Sequence, residues 1–242
     1  LSDGNQRRLQ QQLELPAEKW AQIPNGRPAE RYRQVDSNLA RELRQQLEWK
    51  EANIVVLTVA RMVKQKRHDI LLEALPSALE KCPSLQLAWV GDGPRRAELE
   101  QAVSARGLNK QIQFLGYRED IPQLLAAADA FALPTHFEGL PLSLVEAQMS
   151  GLPALGSHVD GVEDVIAHRE TGLLISSGST EEWTQALIEM GEDAEQRTAW
   201  GCAGQRRATK LFSEQAVLDR IEQLYQQLCT QTAPNTPNPN SN

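Results

Sequence analysis

Six short apolar runs, separated by stretches with helical character, constrain this chain more than any other feature. The runs at 54–60, 85–90, 111–115, 130–133, 153–156 and 172–175 are apolar over most of their length instead of at every second residue. A strand apolar on both faces must be covered on both, as it is in a parallel sheet with helices on either side. The stretches between supply those helices: 68–81, which Pro76 is expected to interrupt, then 95–106, 122–128 opened by Pro122, and one around Glu146. A charged, Gln-rich helix at 41–50 precedes the first strand, and 181 to about 228 reads as helix. Strands alternating with helices in this way predict an α/β fold with a doubly wound parallel sheet.

The 242 residues suffice for a full core. A net charge of -7 and a pI near 5.2 speak against a broad footprint on nucleic acid or anionic lipid. Cys82, Cys202 and Cys229 are odd in number and lack metal-type spacing, which fits a reducing compartment better than a disulfide framework. With no apolar run near the roughly 20 residues that span a bilayer, and no signal peptide, the expected location is cytoplasmic. Leu1 in place of Met suggests a piece of something longer. Residues 1–40 are polar, with a weak helical pattern at 2–13 and an irregular stretch holding Pro16, Pro24-Asn25-Gly26 and Pro28, and read as a linker. Residues 231–242 have almost no apolar content and are expected to be a disordered tail.

In doubly wound sheets, ligands sit outside the carboxyl ends of the strands, where the strand order reverses. Four loops fall there. The first, 61–68, carries Arg61, Lys64, Lys66, Arg67 and His68; the second is Gly91-Asp92-Gly93-Pro94 and the third Gly116-Tyr117-Arg118. The fourth, 137–147, reads Phe-Glu-Gly-Leu-Pro-Leu-Ser-Leu-Val-Glu-Ala. Pro141 suits a first helical turn, which leaves the amides of Leu142, Ser143 and Leu144 without helical partners at the positive end of the dipole, a setting that attracts phosphate. Arg61 and Lys66 together have the means to grip a diphosphate, one as a fork and one as a point charge. Glu138 and Glu146 bracket the helix start, and a carboxylate beside an anion site suits hydroxyl groups. Each feature taken singly also has an ordinary reading: a solvated basic loop, a punctuating Gly-Pro turn, a helix-favouring glutamate.

Absent motifs narrow the field. No Gly-x-Gly-x-x-Gly follows a strand, no phosphate loop ending Gly-Lys-Ser/Thr is present, and no Gly-x-Ser-x-Gly elbow supports acyl transfer. Neither metal-spaced histidines nor an Asp-x-Asp pair is found. A bound diphosphate would therefore be neutralised by Arg, Lys and helix amides.

In order, Val59-Ala60-Arg61-Met62 with Lys66, Val90-Gly91-Asp92-Gly93-Pro94, Phe114-Leu115-Gly116-Tyr117, Glu138-Gly139-Leu140-Pro141 to Glu146-Ala147, Gly151-Leu152-Pro153 and Thr171-Gly172-Leu173-Leu174 resemble the donor-binding domain of retaining GT-B glycosyltransferases of family 4. The resemblance covers roughly residues 22–228. It implies a Rossmann-like sheet, the C-terminal half of a GT-B fold, with 41–230 as the nucleotide-sugar donor-binding domain. Residues 1–40 would be linker and residual segment from a missing N-terminal acceptor domain, with Ile23-Pro24-Asn25-Gly26 resembling the crossing between the halves. The implied function is transfer of a sugar from a nucleotide-diphosphate sugar, UDP favoured over GDP or ADP, with retention and without a metal or other cofactor. By the same resemblance Arg61 and Lys66 contact the diphosphate and Glu138 lies beside the transferred sugar. Glu146 binds the ribose hydroxyls, the amides of Leu142 to Leu144 meet the diphosphate, and the backbone at Tyr117 and Arg118 meets the base. Gly91 and Gly139 belong to the same donor site. The chain departs from the family pattern at Ala60, at Arg67, where glycine is usual, and at Asp160-Gly161, where two glycines are usual. Without an acceptor half the chain is expected to bind donor and transfer poorly, and any membrane contact would run through that half. The alternative is a non-catalytic nucleotide-sugar-binding or interaction module; a sugar-nucleotide epimerase fits the motifs less well.

Overall fold

The computed structural model describes residues 21–232. The weak helix at 2–13 and all of the expected 231–242 tail but its first two residues lie outside the described residues; Gln231 and Thr232 instead continue the last helix. The chain folds into α1 (Ala29–Arg33), α2 (Ser37–Gln46), β1 (Ile54–Val59), a 3-10 turn at Lys64–Lys66, α3 (His68–Lys81) and β2 (Leu85–Val90). Next come α4 (Arg96–Ala105), β3 (Ile112–Gly116), α5 (Ile121–Ala127), β4 (Ala130–Leu133), α6 (Leu142–Met149) and β5 (Ala154–Ser157). Then follow β6 (Gly172–Ile175), α7 (Thr180–Glu192), α8 (Ala194–Phe212) and α9 (Glu214–Thr232). All six strands lie in one parallel sheet of order β3-β2-β1-β4-β5-β6.

The apolar runs are apolar throughout because successive residues enter different layers. Val56, Leu87, Trp89 and Ala132 pack with α3, α4 and α7 on one face, through Leu71, Leu75, Val103, Trp183 and Leu187. Val55, Leu57, Val90 and Phe131 pack on the other face with Leu124, Leu125, Leu144, Val145 and Phe212 of α5, α6 and α8. The doubly wound arrangement read from the sequence is therefore the one observed.

Several boundaries differ from the expectation, each for a local reason. Helix α2 starts at Ser37 and not at 41, because the Asp36 side chain accepts from the Asn38 amide (2.8 Å) and caps it. Pro76 does not interrupt α3; the loss of one intrahelical bond is outweighed by the burial of Leu71, Leu72, Leu75 and Ala78 around it. The helical stretch from 181 resolves into three helices. Breaks fall at Asp193, whose carboxylate caps the Gln196 amide at 2.8 Å, and at Ser213, whose hydroxyl accepts from the Ala216 amide at 3.2 Å. The described part of the stretch read as linker packs on the domain: Ala29, Tyr32 and Ala40 are buried against the sheet-covering helices.

Strand β6 closes one edge of the sheet. Beside it the Leu174 amide donates to His168 Nδ1 at 3.0 Å, and the Gly172 carbonyl accepts from the Arg169 amide at 2.7 Å. No helix among the described residues is long and apolar enough to cross a membrane.

His68, the first residue of α3, is buried, its ring edge-on to Trp89 with centroids 5.1 Å apart. Burial pushes its pKa down to about 4, with the charges of Arg95 and Lys66 adding to the effect and Asp69 opposing it. The unfolded chain takes up a proton near pH 6.5 that the folded chain declines, so stability is whole above that pH and lost as pH falls toward 4. Denaturant unfolding should show a loss of about 1.5 kcal/mol between pH 6.5 and 5. A His68→Phe variant, which keeps the ring, should lose most of that slope.

Candidate active site at the sheet switch point

The strand order reverses between β1 and β4, which pair in parallel through Val56 with Ala130 and Leu57 with Phe131. The loops that leave these strands are stitched together. The His136 amide donates to the Gln65 carbonyl (2.9 Å), the Gln65 side-chain amide donates to the Phe137 carbonyl (2.7 Å), and the Thr135 hydroxyl reaches both carbonyls at 3.2 Å. Across this seam the Lys66 ammonium pairs with the Glu138 carboxylate, their side chains only 18% and 9% exposed. Two residues expected in one site, 72 apart in sequence, are thus in direct contact.

Arg67 follows in the left-handed region (φ 45°, ψ 39°), where glycine is the easy occupant. Its guanidinium is tied to Asp69 (2.9 Å) and lies 3.4 Å from His136 Nε2. Asp69 also accepts from Arg95 at 2.8 Å. Burial works against the Asp69 charge, but hydrogen bonds from Arg95 and Arg67 prevail and hold its pKa below the ordinary carboxylate value. Loops from β1, β2 and β4 are joined by this network. Arg61, by contrast, is exposed and makes no side-chain hydrogen bond or ion pair among the described residues.

The demand for glycine after β2 comes from the protein's own backbone. Gly91 has φ 123°, and a Cβ there would lie 2.2 Å from the Ala60 carbonyl oxygen; one at Gly93 would lie 2.5 Å from that of Met62. The close approach lets the Met62 amide bond Asp92 O at 2.9 Å and the Arg95 amide bond Met62 O at 3.0 Å. Gly91 therefore seats the Arg61 loop. At the end of β3, Tyr117 is 78% exposed, and the Arg118 guanidinium is held by Asp120 at 2.7 Å.

Helix α6 starts differently from the expectation. Pro141 is the cap, not a first-turn residue, and its carbonyl accepts from the amides of both Leu144 (3.0 Å) and Val145 (3.1 Å). The Leu144 amide is thus satisfied within the protein, and only those of Leu142 and Ser143 lack a partner among the described residues. The loop before the helix rests on Gly161, which has φ 82° and would bring a Cβ within 2.2 Å of Gly139 O. Gly139 itself faces open space.

Glu146 lies in the second turn of α6 and is half-buried. Its Oε1 accepts from Arg27 Nε at 2.6 Å. The buried Tyr32 phenol faces the same carboxylate; burial first, then the negative charge of Glu146 and a hydrogen bond to it, push its pKa up to about 12. Neither Arg27 nor Tyr32 is marked in the sequence: Arg27 lies 119 residues from its partner, and only its place after Pro24-Asn25-Gly26 draws notice. A cavity of about 990 Å³ lies toward the opposite, amino edge of the sheet, lined by Tyr32, Arg41, Arg44, Trp49, Lys50 and Asp129; Tyr32 borders it from the Glu146 side, and it holds none of the site residues expected from the sequence. Among the described residues no group of three or more His, Cys, Asp or Glu is placed to hold a metal ion.

A parallel sheet whose switch point gathers cations, free helix amides and carboxylates defines an α/β domain of the kind that receives phosphorylated ligands. Residues 40–207 match the family described as glycosyl transferases group 1, and the chain belongs to that family. It is 31% identical over 175 residues to an Escherichia coli UDP-Gal:alpha-D-GlcNAc-diphosphoundecaprenol alpha-1,3-galactosyltransferase, covering 71% of this chain and 45% of that one. It is 27% identical over 213 residues to a GDP-mannose-dependent mannosyltransferase acting on monoacylated phosphatidylinositol monomannoside in Corynebacterium glutamicum, covering 84% and 55%. Among solved structures, Anabaena HepE in complex with UDP and glucose superposes with a TM-score of 0.82 at 28% identity, covering 95% of this chain and 62% of that one. The chain spans about half the length of the curated relatives it matches.

Gly139 in the Glu138 loop and Gly161 beneath it differ sharply in what they tolerate. Gly161→Ala should cost about 1–3 kcal/mol in urea unfolding, from left-handed strain and the clash with Gly139 O, while Gly139→Ala should stay within about 0.5 kcal/mol of wild type.

Proposed function

We propose that this chain is the donor-binding part of a retaining family 4 glycosyltransferase, which moves a sugar from a nucleotide-diphosphate sugar to an acceptor held by a domain outside it. The observation that carries the reading is the seam between the β1 and β4 loops, where Lys66 meets Glu138 beside the start of α6. In this reading Arg61 and Lys66 hold the donor diphosphate and offset the charge that grows on it as the sugar departs. The free amides of Leu142 and Ser143 add to that hold, with Leu144 anchoring the turn through Pro141. Glu138 lies beside the transferred sugar, Glu146 takes the ribose hydroxyls, and the backbone at Tyr117 and Arg118 meets the base. The bond between the anomeric carbon and the diphosphate oxygen breaks on the face that the acceptor hydroxyl attacks. The acceptor oxygen bonds the anomeric carbon on that same face, so configuration is kept, and the acceptor's proton passes to the leaving diphosphate. No metal is required, because fixed cations and amides supply the counter-charge.

Relatives support the donor class. HepE was solved with UDP and with UDP-glucose, the Escherichia coli relative is named for UDP-Gal, and the Corynebacterium glutamicum relative for GDP-mannose. UDP is the favoured carrier over GDP or ADP, and the cytoplasm the favoured location.

With a chelator present, saturating UDP should raise the melting temperature by mass action on the folded state. Failure of every common nucleoside diphosphate to shift it would overturn the proposal. Arg61→Ala and Lys66→Ala should each weaken binding by about 10- to 100-fold, the loss of a charge-assisted contact.

A further inference from the structure

We propose that Arg27 and Tyr32 are positioning residues for nucleoside recognition, holding the Glu146 carboxylate in the orientation in which it accepts the ribose hydroxyls. The proposal rests on the assignment of Glu146 to the ribose. A glutamate on the second turn of a short helix has three rotatable side-chain bonds and no orientation of its own. Here its orientation comes from outside α6. Arg27 Nε reaches Oε1 at 2.6 Å, and Arg27 is itself pinned on both sides of its main chain. Its amide donates to Phe212 O at 2.8 Å, and its carbonyl accepts from the Glu214 amide at 2.9 Å, so it is clamped where α8 ends and α9 begins. Tyr32, on α1 and 6% exposed, presents its phenol to the same carboxylate.

The chemistry of the group fits this role. A carboxylate has about four lone-pair sites; Arg27 takes one at Oε1 and Tyr32 lies beside the group, which leaves sites for a pair of vicinal hydroxyls. The Arg27 charge also offsets that of Glu146, which would otherwise repel a diphosphate bound at the same helix start. Nucleoside recognition is thereby tied to the segment that runs from Arg27 into α1.

Titration calorimetry on the full chain separates this role from a structural one, with UDP as the nucleoside probe and inorganic pyrophosphate as the probe without a ribose. Tyr32→Phe and Arg27→Lys, both of which conserve charge, should weaken UDP by about 3- to 10-fold and pyrophosphate by less than about 2-fold. The loss should vanish when Glu146 is already Ala, since nothing then remains to orient. Equal losses for both probes, or an undiminished effect of Tyr32→Phe in the Glu146→Ala background, would overturn the proposal. If wild type binds UDP and both variants bind it equally well, this inference alone fails; if wild type binds no nucleoside diphosphate, the donor-site reading falls with it.

Discussion

The carboxyl edge of the sheet depends on β1 being buried on both faces. Val55, Val56 and Leu57 are wholly inaccessible, between β2 and β4 sideways and between helical layers above and below. Burial of each such side chain contributes about 1.5–3 kcal/mol, against roughly 0–1 kcal/mol for an exposed ion pair. The sheet therefore dictates where the charged loops emerge, and the loops make do with one another. Lys66 has no route into the apolar layers, and its ammonium is satisfied across the seam by Glu138. Since both side chains are mostly covered, each would be costly without the other, so their pairing holds the site's two halves together before any ligand arrives.

Much of this architecture is legible in the sequence because a strand buried on both faces leaves an unbroken apolar run, and β2, β4 and β6 coincide with theirs. What escapes is whatever a residue does by virtue of distant neighbours. Asp193 and Ser213 read as surface residues inside a helical stretch until each is seen capping a helix start. Pro76 reads as a break because the apolar residues that carry the helix through it are scored only when packed. Gly91 is equally compatible with making room for a ligand and with making room for Ala60, and the two needs leave the same letter in the chain. The Glu138 and Glu146 spacing was visible, but the partners that set each carboxylate lie 72 and 119 residues away, with no periodicity to announce them.

The departures from the family pattern have a similarly local explanation. Position 67 is left-handed, which accounts for the glycine usual there; Arg67 takes the same conformation and is held in it by Asp69 and His136. At 160–161 only Gly161 has positive φ and a close carbonyl behind it, so an aspartate at 160 asks nothing unusual of the backbone. The loop under Glu138 therefore keeps the glycine it needs.

The short return at 168–172 has a consequence beyond this domain's own folding. An open edge of a parallel sheet offers unpaired amides and carbonyls to any extended chain that drifts past. Here the outward amide of Leu174 is taken by His168, and the carbonyl of Gly172 by Arg169. The last strand thus ends the sheet chemically as well as geometrically, and leaves little for a foreign strand to add itself to.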